Sequence, residues 1–397
     1  MKEVDKMKIV HIEDYFFPEA GYQINIIPKY MARMGHEVTI ITTEIIEELS
    51  GHVFFDCKDV KSKDKIYTEK TGVKIIRLPK KKSISNRAVF TGEIFQTIQD
   101  EKPDVVYIHG NDSLTSMRYL LKRKKLGYPL VMDSHMLEMA SRNKLSKLFR
   151  WGYRHFFTPM LVKDNIPVIR TQDDPYVEKC LGIPLKQSPW ISVGSDTMLF
   201  HPDENARKAF REEHGIEEDA FVVLYAGKLG RAKGGMLLAE ALEKKLPVDK
   251  KVVFVVVGKA SGEYGEQVET TFSNSENRIL RFPTQKYSDL PPFYQAADLA
   301  VFPRQCSLSF YDVQACGLPV VFEDNNINID RASHNNGLVF EAGNAEDFRQ
   351  KMAQIISLDT KDYQTMRQNS IALVRESYDY AELAKKYMEI IERVVIK

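Results

Sequence analysis

Lys228 and Lys233 stand in a glycine-rich stretch, GKLGRAKGG (227–235), between an apolar run and a segment of helical spacing. Two fixed cations beside a helix start suit a diphosphate, whose charge grows as it departs and is stabilised by ammonium groups and backbone N–H dipoles without a metal. The same pair also fits two solvated lysines on a loop. A helix N-terminus for the same diphosphate is suggested by YQAADLAVFPRQCSLSFYDVQACGLPVVF (294–322). It reads as a helix end, a short apolar strand, a loop, a new helix from about Ser309 and a Gly-Leu-Pro turn into another strand. The N–H groups of Ser307, Leu308 and Ser309 would open that helix beyond the strand's carboxyl end, where phosphate binds well. Ser309 fits equally as a plain N-cap, and Asp312 as an acid serving the helix dipole.

In the first half, His109 (IHG) and His135 (DSH) each close an apolar run. A strand's carboxyl end is where open α/β sheets bind ligands, so either imidazole can be a site residue or a structural one. Glu13 and Asp14 follow the first strand and are candidates to contact an acceptor, or are ordinary loop acids. Gly21, in PEAGYQ, would let backbone approach a diphosphate closely, or simply make a turn. Residues 139–163, MASRNKLSKLFRWGYRHFFTPMLVK, carry bases and aromatics and no acid. That suits a helix lying on an anionic membrane face and meeting a lipid-linked acceptor. It also suits a helix with core aromatics and a solvated basic face.

The elements that must position these residues alternate. Apolar runs at 8–12, 38–43, 73–78, 104–109, 129–135 and 167–171, then at 220–227, 251–258, 278–282, 299–303 and 319–324, read as buried strands separated by amphipathic helices. This is the pattern of parallel sheets covered on both faces, an α/β fold built twice over. The turn-rich segment WISVGSDTMLFHPD (190–203) is a natural linker. We divide the chain into a first Rossmann-like domain, 1–192, rejoined by a terminal helix at about 379–397, and a second, 193–378. Two doubly wound sheets would present their strand ends to a shared cleft.

Composition narrows the classes. A chain of 397 residues with 43% hydrophobic content and net charge +1 is an ordinary globular one, with no pull towards nucleic acid. No apolar run approaches the ~20 residues that span a bilayer, and the N-terminus has no signal-peptide core. The four cysteines, Cys57, Cys180, Cys306 and Cys316, form no Cys-x-x-Cys motif and have no histidine cluster. They read as reduced thiols in a cytoplasmic protein. No Asp-x-Asp motif occurs, so no metal and no cofactor beyond a co-substrate are expected.

Five segments in order resemble GT-B glycosyltransferases of family four: PEAGYQ with GHEVTIIT, SVGSDTMLFHPD, GKLGRAKGGMLLAEAL, FPRQCSLSFYDVQACGLPV and NNGLVFEAGNAEDFRQKM. The resemblance implies two Rossmann-like domains around a cleft and a retaining, metal-independent transfer of a sugar from a nucleotide donor, UDP before GDP, to a hydroxyl. A glycan or lipid-linked acceptor in surface polysaccharide or glycolipid synthesis is expected. Lys228 takes the family's Arg position and Lys233 its Lys position. His135 takes that of the active-site histidine, and Asp312 that of the acid on the ribose. Pro283, Thr284 and Gln285 fall near the base, which the family reads largely through backbone. The family's sugar-binding Glu is replaced by Arg304, which has donors only. An acidic donor sugar, Gln305 as a substitute acceptor, or lost catalysis would each explain this. The rivals are therefore a silent GT-B partner protein and a GT-B nucleotide-sugar epimerase.

Overall fold

The computed structural model describes residues 6–44, 59–84, 87–136, 145–304, 309–325, 328 and 331–396. They form two compact units, Met1–Val193 with Tyr380–Lys397, and Gly194–Asp379.

The first unit holds β1 (Lys8–Ile12), β2 (Glu37–Thr43), β3 (Lys74–Leu78), β4 (Lys80–Ile84), β5 (Arg87–Phe90), β6 (Val105–Ile108), β7 (Leu130–Ser134) and β8 (Val168–Arg170). Six of these make one sheet in the order β3-β2-β1-β6-β7-β8, and every pairing is parallel. Its connecting helices are α1 (Gln23–Arg33), α2 (Val60–Thr71), α3 (Glu93–Glu101), α4 (Leu114–Leu126), α5 (Ser146–Gly152) and α6 (Thr158–Lys163). Strands covered on both faces have no polar side to show, which is why they read as unbroken apolar runs. Val10, Ile12, Ile41, Val106, Ile108, Met132 and Val168 lie in one core. Register sets the edge that matters: Ile12 pairs with Ile108, Ile108 with Met132, and Ser134 with Arg170. Glu13, His109 and His135 therefore leave the sheet at the same carboxyl edge.

The second unit repeats the plan with β9 (Phe221–Ala226), β10 (Val252–Val257), β11 (Arg278–Phe282), β12 (Leu299–Phe302), β13 (Val320–Glu323) and β14 (Gly337–Phe340). The order is β11-β10-β9-β12-β13-β14, again all parallel. Its helices include α7 (Glu204–Glu213), α8 (Gly235–Ala241), α9 (Gly262–Ser273), α10 (Pro291–Ala296) and α11 (Ser309–Ala315). The helix expected from about Ser309 starts there.

Three features were not anticipated. Lys80–Ile84 and Arg87–Phe90 pair antiparallel as a separate two-stranded ribbon. Gly337–Phe340 forms the edge strand β14. Within the linker, Trp190 bridges to Arg170 and Ser195 to Asp379, so its first half is pinned rather than loose.

Candidate active site

In the second unit the loop from β9 to α8 is shaped by its glycines. Gly234 has φ +74°, and a Cβ there would stand 3.1 Å from the Pro303 Cβ and the Arg304 Cγ. A Cβ on Gly235 would reach within 2.2 Å of the Leu229 carbonyl oxygen. A side chain at Gly234 would push the loop off the residues that follow β12, and one at Gly235 would collide with the loop's own backbone. Tyr225 donates its hydroxyl to the Lys228 carbonyl at 2.7 Å, fixing the loop's entry. Lys228 is exposed and Lys233 half-buried.

Arg304 lies against this loop. Its Nη1 donates to the Arg231 carbonyl at 3.2 Å, and its Nε stands 3.7 Å from Glu323 Oε1. Glu323, at the end of β13, was not singled out from the sequence. Its signal was an acid closing the apolar run PVVFE. Burial lifts its pKa above the ordinary value, against the pull of the Gly343 N–H and Arg304. Gln305, Ser307 and Leu308 lie outside the described residues. Ser309 opens α11 and is nearly buried.

Asp312 is 2% exposed, and Ser195 donates to its Oδ1 at 2.7 Å. Burial pushes its pKa well up, opposed by the Ser195 hydrogen bond. A ribose contact would have to use Oδ2 or displace Ser195. Pro283 is exposed after β11, but its carbonyl already accepts from Gln285 Nε2 at 2.9 Å, while buried Thr284 Oγ1 has no hydrogen-bond partner.

In the first unit, Gly21 precedes α1 without a positive φ. Tyr22 N donates to Asn25 Oδ1 at 3.2 Å, which fixes the start of that helix. Past β1, Asp14 is 4% exposed, with the Arg87 guanidinium 3.9 Å away. Arg87 also stands 3.6 Å from Asp112. Burial, then the neighbouring Glu13, raise the Asp14 pKa to about 7.

The two histidines singled out from the sequence are joined by a residue that was not, Asp133. Its Oδ2 is 2.6 Å from His109 Nδ1, and its Oδ1 accepts the Gly110 N–H at 2.8 Å and faces His135 Nε2 at 3.2 Å. An acid two residues before a histidine, in an otherwise apolar run, was the available signal. His109 Nε2 in turn meets His11 Nδ1 at 3.0 Å. His109 stacks on Tyr107 at 4.6 Å between centroids and is buried, whereas His135 is exposed.

Among the described residues, His109, Asp133 and His135 form the one His/Asp cluster, with ligand-type atoms within 4.8 Å of one another. Donor atoms sharing a tetrahedral zinc at bonds of about 2.0 Å stand about 3.3 Å apart. The 2.6 Å His109–Asp133 contact is instead a charge-assisted hydrogen bond. In this structure the trio is joined as a hydrogen-bonded network.

Comparison with known proteins agrees with this architecture. Residues 27–161 match the family described as Glycosyltransferase Family 4, and residues 206–372 the family described as Glycosyl transferases group 1. The fold and both matches define the GT-B architecture of two Rossmann-like units. The chain belongs to glycosyltransferase family four. D-inositol 3-phosphate glycosyltransferase 1 of Catenulispora acidiphila is 32% identical over 55% of this chain and 56% of its own. The chain spans about half the length of the first curated relatives it matches, 56% and 50%. Among solved structures, a glycosyltransferase from Rickettsia africae superposes with a TM-score of 0.76 at 18% identity, covering 99% of both chains. Anabaena HepE in complex with UDP-glucose superposes with 0.72 at 17% identity, covering 98% of this chain and 100% of that one. Among the described residues, no helix is long and apolar enough to cross a membrane.

Proposed function

We propose that this glycosyltransferase moves a sugar from a UDP-linked donor to a hydroxyl acceptor with retention of configuration and without a metal. The supporting observation is the glycine-shaped loop that carries Lys228 and Lys233 directly against the residues after β12. In this reading the acceptor oxygen bonds to the anomeric carbon on the face the diphosphate leaves. The bond from that carbon to the phosphate oxygen breaks, and the departing oxygen takes the hydroxyl proton. Lys228, Lys233 and the N-terminal turn of α11 carry the charge that appears. Asp312 holds the ribose and the backbone of 283–285 the base. Arg304 and Glu323 together meet the donor sugar, Glu323 supplying the acceptor that a guanidinium lacks. Glu13 and Asp14 line the acceptor side of the first unit.

The test is a donor screen by mass spectrometry with a panel of nucleotide sugars and Lys233→Ala as control. Cleavage of one donor, lost in the variant, is the expected result. No cleavage and no thermal shift with any nucleotide sugar would overturn the reading.

We also propose that the first unit meets anionic lipid through the surface of 145–163, where an acceptor in polysaccharide or glycolipid synthesis would be presented. Leu148, Trp151 and Phe156 are 66%, 56% and 60% exposed there, beside exposed Lys147, Arg154 and Lys163. Such a mixed apolar and basic face suits a headgroup boundary. Binding to phosphatidylglycerol vesicles, absent with phosphatidylcholine, should fall at least about tenfold in Trp151→Ala/Phe156→Ala. Equal binding by wild type and variant would remove the proposal.

A further inference from the structure

His135 is the exposed end of a chain of groups that runs inward through Asp133 and His109 to His11. Both nitrogens of its ring are occupied by this chain's own atoms. Nε2 faces Asp133 Oδ1 at 3.2 Å, and Nδ1 meets Thr171 Oγ1 at 2.9 Å. Thr171 Oγ1 donates its single proton to the Ser134 carbonyl at 3.1 Å, which leaves it an acceptor towards Nδ1. Asp133 is fully buried, and a buried carboxylate needs a countercharge. Of its two imidazole partners, His109 is 4% exposed and stacked on Tyr107, so a charge there would be stripped of water. His135, at the sheet's carboxyl edge, can hold that charge and keep part of its hydration.

We propose that Asp133 is a positioning residue that holds the His135 ring with both nitrogens protonated, so that the first unit presents a fixed imidazolium at the carboxyl edge of its sheet. The proposal rests on the reading of His135 as a site residue. It gives that residue a definite role: not a hydrogen-bond partner of a sugar, for which no ring nitrogen is left over, but an electrostatic one towards anionic oxygens of a substrate bound at that edge. The surrounding charges are those of Asp133 on β7, His109 after β6, Glu13 after β1 and Arg87 on β5, with Asp14 and Asp112 beside Arg87. Burial opposes charge on His135, but Asp133, by attraction and hydrogen bond, and then Glu13 outweigh it and leave the pKa raised; Arg87 opposes them. The same pairing, with His109 added, holds the Asp133 carboxyl well below its ordinary range despite burial.

The experiment is long-range proton–nitrogen NMR on protein labelled with 15N at histidine only, with the His135 signal assigned by His135→Gln. At pH 7 both His135 nitrogens should show the shifts of protonated nitrogen, and the ring should titrate above the ordinary value of about 6.5. In Asp133→Asn the ring should be neutral at pH 7. Should Asp133→Asn fail to fold, Thr171→Val, which removes the acceptor at Nδ1, should also lower the His135 pKa. A neutral His135 in the wild type at pH 7, or a titration unchanged in whichever of these variants folds, would overturn the proposal. A kinetic arm separates it from the proposed function. The alkaline limb of the kcat–pH profile for donor cleavage should move down by about one pH unit or more in Asp133→Asn. Expected spectra with no cleavage of any donor would refute the transferase reading and leave the Asp133–His135 pair standing; cleavage with a neutral His135 would do the reverse.

Discussion

Asp14 turns its burial into a pH dependence of stability. Its Oδ2 has no hydrogen-bond partner, and Arg87 reaches it only at 3.9 Å. With a folded pKa of about 7 against an ordinary carboxyl near 3.9, the folded chain holds a proton that the unfolded chain releases between about pH 4 and pH 7. Stability is therefore full below that window and falls as pH rises through it, by up to about 4 kcal/mol. Both tryptophans, Trp151 and Trp190, lie in the first unit, so their fluorescence in urea reports that unit's unfolding. Asp14→Asn should flatten the decline, and an identical slope in wild type and variant would acquit Asp14. In the second unit, Glu323→Gln should lower kcat/KM for the donor by about tenfold to a hundredfold, the worth of one hydrogen bond to a charged group. Unchanged kinetics would take Glu323 out of the sugar site. Lys228, Lys233 and His135 could be singled out as candidates in the sequence because each is marked by its immediate neighbours. Asp133 and Glu323 were not, because their partners arrive from other strands: His109 precedes Asp133 by 24 positions and Arg304 precedes Glu323 by 19.

At the scale of elements, the acid in the Ala-Ala-Asp sequence at the end of α10 proves to be an anchor. Asp298 accepts from Arg207 Nη2 at 2.6 Å, Arg211 Nη2 at 2.7 Å and the Val222 N–H at 2.7 Å. It thereby ties α7 to the start of β9. Arg211 is 4% exposed, so removing its partner strands a buried cation. Asp298→Ala should cost the second unit about 3–5 kcal/mol, read as earlier loss of hydrogen-exchange protection in Phe221–Ala226. A loss below about 1 kcal/mol would show that the arginine carbonyl contacts suffice. The main strands were readable because burial on both faces makes them apolar throughout. The ribbon β4–β5 was not. KKKSI carries no alternation, and the pair is held by long-range contacts: Ala88 and Phe90 are buried, and Arg118 Nη1 donates to the Phe90 carbonyl at 2.5 Å. Edge strand β14 is four residues beginning with glycine, too short for periodicity to register.

At the scale of the molecule, the first unit is assembled from both ends of the chain. The helix Tyr380–Val395 belongs to it and packs on α1. That helix buries Tyr380, Leu383, Ala384, Tyr387, Met388 and Ile391. Gln23 donates to the Tyr387 hydroxyl, and the Tyr387 ring lies 6.2 Å from that of Tyr107, which stacks on His109. The last turns of the chain thus cover the ring stack on which the His109–Asp133–His135 network rests. Each large apolar side chain among them is worth about 1.5–3 kcal/mol of burial, so their loss exceeds what a marginally stable unit can absorb. A chain ending at Asp379 should lose exchange protection in Lys8–Ile12 and Val105–Ile108, and its tryptophan fluorescence should report an unfolded or loosened first unit. Val252–Val257 and Val320–Glu323 should keep theirs, because the second unit has its own core and none of it comes from this helix. Full protection in both units after truncation would show that the helix is dispensable to the fold. Loss in both would show that neither unit folds without the other.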